Sequence, residues 1–176
     1  MKDCLEFFGD IVAVFPVADG TLSYDVPFNI DVDSLRASAI RIDNAGNDVL
    51  SMRFFNSHRG FVVSNYNNEN IDSVTIETGA TVKESGKKSV AGIYYETKVS
   101  FNTFESIKDI RSFVNDIKRF RYFDLFIVDA MDRVFLLRGI DGACAISMSA
   151  NLPISQRTSI EIEYASVNGV IPVSFD

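Results

Sequence analysis

A chain of 176 residues with a formal charge of −7 lacks the excess of lysine and arginine with which proteins grip phosphate backbones. Its 47% apolar and 23% charged residues are the proportions of an ordinary globular protein, and one β-rich domain over residues 1–176 is the expectation. Cys4 and Cys144 match no metal or redox spacing and read as thiols of a reducing compartment, a single distant disulfide being the alternative.

The first segment, MKDCLEFFGDIVAVFPVADG, is broken by Glu6 and Asp10, so neither a secretory leader nor a membrane span is expected there. Strands are predicted at 11–17 and 24–31. The runs ASAIRID and VLSMRFF flank the turn formers Asp43-Asn44-Ala45-Gly46-Asn47-Asp48, which predicts a hairpin over 37–55. A strand follows at 60–65, and SVTIET alternates Val74 and Ile76 with Thr75 and Glu77. Residues 79–90, GATVKESGKKSV, are polar and read as a linker or a long exposed loop.

After a strand at 91–101 the periodicity changes. Ile107, Ile110, Phe113, Val114 and Ile117 form one stripe, with Lys108, Asp109, Arg111, Asn115, Asp116 and Lys118 opposite. This predicts one amphipathic helix at about 104–119, capped by Thr103 or Ser106, with Lys118, Arg119 and Arg121 at its negative end. Strands are then expected at 122–129, 133–138, 142–150 and 170–175. SIEIEYAS adds another, with Ile160, Ile162 and Tyr164 on one face and Glu161 and Glu163 on the other. The fold class expected is mainly β, a sandwich or barrel, with one flanking helix.

The candidate chemistry is thin. Asp129 and Asp132 bracket Ala130-Met131 between two apolar runs, and read as an exposed hairpin tip; acid–base work would need a cleft that splits their pKa values. His58 is the only histidine, in the polar turn FNSHRG, with no nucleophile elbow nearby. ESGKKS fails the phosphate-loop pattern, because Lys88 stands where Ser or Thr is required. DNAGND lacks the alternating acids of a calcium loop. KRFRYF mixes cations and aromatics, but it begins at a helix end, where cations have a structural reason. NYNNEN, residues 65–70, reads as a loop. The expectation is a binding or structural protein without catalytic, cofactor or metal residues.

From Gly92 to Phe175, GIYYETKVSF is followed by the helix, then FDLFIVDAMDRVFLLRG, then paired strands ending in VIPVSF. This order resembles the C-terminal portion of small tail and neck proteins of phages and prophages of Bacteroidetes-type bacteria. In those a strand and helix precede a hairpin with a glycine soon after its second strand, here Gly139. The tip Asp129-Ala130-Met131-Asp132 departs from the glycine-bearing form of the family. A β-sandwich with one helix is also similar to tail-tube subunits. The resemblance implies a virion protein, made in the host cytoplasm, that forms a homo-oligomeric ring with other tail or neck proteins. DNA would pass through its lumen without specific binding, and no membrane is involved. Lys83, Glu84, Gly86, Lys87 and Lys88 are then the candidate inter-subunit loop. The alternative is a monomeric β-sandwich module that binds glycan or protein ligands through Tyr66 and the asparagines around it.

Overall fold

A computed structural model describes residues 10–18, 22–24, 40–44, 59–66, 72–77, 79–105, 107–120, 122–139, 142–150, 158–167 and 169–174. The strands are β1 (Ile11–Ala18), β2 (Leu22–Tyr24), β3 (Ile40–Asn44), β4 (Phe61–Val63), β5 (Val74–Ile76), β6 (Thr81–Ser89) and β7 (Gly92–Thr103). The helix α1 (Ile107–Lys118) precedes β8 (Phe123–Asp129), β9 (Val134–Leu137), β10 (Gly142–Ala150), β11 (Thr158–Ser166) and β12 (Ile171–Ser174). Among the described residues the fold is mainly β with a single helix, as the periodicities predict.

The strands run in the order β10-β11-β7-β5-β4-β1-β8-β9-β12-β3-β2, with β6 on β7. Two parallel pairs, β4–β5 and β12–β3, interrupt otherwise antiparallel pairing. Near one end, β6, β7, β11 and β10 make an antiparallel four-strand unit. Short contacts stitch this unit to the rest: Ile76 opposite Thr103, and Ile11 opposite Ala80.

Burial follows the side-chain periods. On β11, Ile160, Ile162 and Tyr164 are buried while Glu163 is exposed. On α1, Ile110, Phe113, Val114 and Ile117 are buried, and Arg111, Asn115, Asp116 and Lys118 face out. These side chains join one apolar cluster with residues of β1, β4, β5, β7, β8, β9, β10 and β11. The helix therefore closes a core that the sheet alone leaves open. Of the two expected caps, Thr103 instead ends β7, its hydroxyl donating to the Glu105 carbonyl at 3.0 Å, and Ser106 lies outside the described residues.

Two local expectations change, and a third falls almost wholly outside the described residues. Residues 79–90 are not a loop; most of them form β6, which pairs with β7 from Thr81–Ser100 to Ser89–Gly92. Ser89 directs the turn, accepting the Ala91 N–H at 3.2 Å and donating to the Gly92 carbonyl at 3.1 Å, and Gly92 takes a φ of 129°. Asp43 and Asn44 belong to β3, which pairs with β2 and β12; the expected partner at 49–55 lies outside the described residues. Of the strand predicted at 24–31, only Tyr24 is described, at the end of β2.

The Asp129–Asp132 segment is a hairpin tip between β8 and β9, as expected, but Asp129 is fully buried. Its Oδ1 accepts the Met131 N–H at 2.9 Å and the Arg133 N–H at 3.0 Å. Asp132 takes the left-handed conformation, φ 60°, that aspartate tolerates in tight turns. Asp129→Ala is expected to lower stability by about 2 kcal/mol, because two backbone donors lose a charged acceptor at once. Denaturant unfolding measures it, and Asp129→Asn, which keeps one carbonyl acceptor, should lose less.

At the other end of the same hairpin, Gly139 lies against the Phe123 backbone, and a Cβ there would stand 2.5 Å from the Phe123 carbonyl oxygen. The Gly139 N–H donates to buried Asp124 at 2.9 Å, and the Tyr164 hydroxyl donates to that Phe123 carbonyl at 2.6 Å. This knot fixes β8 and β9 against β11.

Candidate functional site

The four-strand unit presents two edges, a projecting arm and an outer face. Alternation on β7 sends Thr97, Val99, Phe101 and Thr103 into the core and leaves Glu96, Lys98 and Asn102 exposed. Register then aligns outward residues across strands. Lys83, Lys98, Glu163 and Ala145 form one row; Thr81, Ser100, Glu161 and Ser147 form the next. Lys98 Nζ lies 3.4 Å from both Glu161 Oε1 and Glu163 Oε1. These carboxylates, Glu161 first, hold the ammonium above its ordinary pKa. The group is exposed and the pair contributes little to stability. Its relevance is charge: two carboxylates share one ammonium.

The two edges differ in kind. β6, TVKESGKKS, carries Lys83, Lys87 and Lys88, the charged guards that keep an edge from pairing indiscriminately. β10, GACAISMSA, has the same nine-residue length but no charged residue and no proline. Its outward residues Ala143, Ala145, Ser147 and Ser149 are small and exposed. Among the described residues β10 ends the strand order, and β6 pairs with β7 alone.

The β6–β7 hairpin also outreaches its neighbour. Tyr95 to Thr103 pair with β11, whereas among the described residues Gly92, Ile93 and Tyr94 pair only with β6. This arm carries exposed Val90 at its turn, Ile93 at 58% exposure, and Lys87 and Lys88 beside them.

The predicted inter-subunit residues thus lie on a strand, not a loop. Lys83 and Lys87 share the outer face, and Lys88 is exposed on the arm. Gly86 sits opposite Tyr95. Glu84 turns inward, and its Oε2 accepts the Val170 N–H at 3.2 Å, so it ties the arm's base to the segment before β12. The outer face holds two neighbouring hollows of about 660 and 650 Å³. The sequence reading did not single out β10; its signal was the absence of charge over nine residues.

Other candidates separate from this unit. Tyr66 packs its ring 6.0 Å from the Phe15 ring, and its buried hydroxyl has no hydrogen-bond partner among the described residues. It is therefore not a free stacking platform. Burial, then the charge of Asp132, pushes its pKa from 10.0 up to about 12. The fold thus holds this proton more tightly than the unfolded chain, and stability should fall as pH rises from 10 towards 12. Phenolate absorbance should show a late-ionising component that shrinks by one tyrosine in Tyr66→Phe. His58, Cys4 and Asn67, Asn68 and Asn70 lie outside the described residues, and Cys144 forms no disulfide among them. Among the described residues no group of three or more His, Cys, Asp or Glu gathers to hold a metal, and no helix is long and apolar enough to cross a membrane. No protein-family model, curated protein or solved structure matches this chain.

Proposed function

We propose that this chain is a structural subunit of a phage virion, of the tail or neck, that assembles as a homo-oligomeric ring around a DNA channel. The observation that carries the assembly is the pair of unlike edges. Strands β6, β7, β11 and β10 alternate in direction, so a second copy in the same orientation offers its β6 antiparallel to β10. Pairing β6 with another β6 would bring lysines together, whereas neutral β10 meets them without repulsion. Head-to-tail contacts of this kind make rings when the rotation closes. The long lysine side chains would lie over Ala143 and Ala145 towards the carboxylate excess at Glu161 and Glu163. The virion assignment rests on the resemblance over Gly92–Phe175, and a net charge of −7 suits a channel from which DNA must slide free.

Size-exclusion chromatography with light scattering, and negative-stain imaging of the same fractions, tests this reading. Rings or tubes are the expected result. A monomer at every concentration overturns self-assembly and favours a monomeric binding module.

A further inference from the structure

Edge-to-edge pairing leaves the outer face of the four-strand unit uncovered, so that face is available for a separate task. We propose that the hollow at its Thr81–Ser149 end binds a neutral glycan. The hollow, about 650 Å³, is floored by two registered rows of short polar side chains. Asn102, Ser159 and Ser149 lie side by side on β7, β11 and β10; Thr81, Ser100 and Ser147 occupy the next row with Glu161 between the last two. Adjacent strands set such groups about 4.8 Å apart, a spacing that meets the ring hydroxyls of a sugar lying flat on the sheet.

The chemistry of the floor selects among ligands. Among the described residues Glu161 is the only charged side chain lining the hollow, and Lys98 stands 3.4 Å from it, so the site offers a free ion little. A protein partner anchors through large aromatic or arginine side chains in deep apolar pockets, and this floor of hydroxyls provides none. Hydroxyls and an amide both donate and accept, which is what a polyol requires. The Ser159 hydroxyl donates to Asn102 Oδ1 at 2.7 Å, which orients the amide and leaves its nitrogen's two donors for the ligand. Along the same face of β7 stands half-buried Tyr94, steered by a 3.4 Å hydrogen bond to Glu96, an aromatic surface for a longer chain to reach. This site uses the face, not the edges, and stands apart from the ring reading.

The full chain should be screened on a glycan array, then titrated calorimetrically with neutral oligosaccharides derived from cellulose, starch and chitin. Binding of at least one neutral class is expected. The double variant Asn102→Ala, Ser159→Ala should weaken it about tenfold, the effect of losing one or two hydrogen bonds, while the oligomeric state stays as in the parent. Ser100→Trp should fill the hollow and abolish binding, and Tyr66→Ala should leave affinity unchanged. The proposal is overturned by silence towards every neutral oligosaccharide, by binding of acidic glycans alone, or by affinity that Asn102→Ala, Ser159→Ala leaves intact. Loss of rings with glycan binding retained would count against the ring reading only.

Discussion

Phe61→Ala is expected to remove about 4 kcal/mol of stability, the upper part of the range for deleting a buried ring. Phe61 is fully buried on β4, a strand of only three residues with two pairs to β1 and a parallel partner in β5. So short a ladder cannot hold the strand by backbone pairing alone. The ring does much of that: its centroid lies 4.8 Å from Phe101 on β7 and 5.0 Å from Phe113 on α1. The Arg59 guanidinium lies over the Phe113 ring, 4.2 Å from its centroid. Truncation therefore opens a cavity where strand, sheet and helix meet, and neighbours on three elements cannot all collapse into it. Against a typical total of about 5–15 kcal/mol, the variant should unfold at much lower denaturant. Phe61→Leu should recover most of the loss by refilling volume. A Phe61→Ala loss below about 1 kcal/mol would mean that α1 docks without this ring.

Much of this architecture is legible in local patterns. The stripe on α1 and the alternation on β11 predict their own buried faces, because a helix or strand with one apolar side has one way to bury it. Elsewhere the information is not local. β6 has no apolar period; it is a strand because β7 supplies a partner for each of its residues and Ser89 and Gly92 turn the chain between them. The residues at Asp129–Asp132 spell a turn, yet nothing in those letters says that Asp129 is covered, since its burial depends on how β8 packs beside β1 and β9. Glu84 reads as one more charge in a lysine-rich stretch, while its partner Val170 is 86 residues away. The neutrality of β10 is visible in the sequence, but its place at the end of the strand order is a property of topology.

That placement gives the second large effect. The double variant Ala143→Lys, Ala145→Lys is expected to raise the dissociation constant for self-association about 100-fold, roughly 3 kcal/mol, while the unfolding midpoint stays near the parent's. Both alanines are exposed on the outward side of β10, so the monomer has room for lysine there. In a head-to-tail joint the new ammonium groups would meet Lys83 and Lys87 on the same face of the neighbouring β6, and like charges across a strand pair are unfavourable. Lys83→Glu, Lys87→Glu, Lys88→Glu should weaken association by the opposite route, setting acids against the carboxylate excess at Glu161 and Glu163. The two sets of changes carry opposite signs, so a chain bearing both should regain assembly. Rising salt should narrow every one of these differences, since the charges stand in water. Light scattering of the three variants decides the matter. Loss in each set with recovery in the combination identifies β6 and β10 as mating edges; parental assembly in all three would remove these edges from the interface.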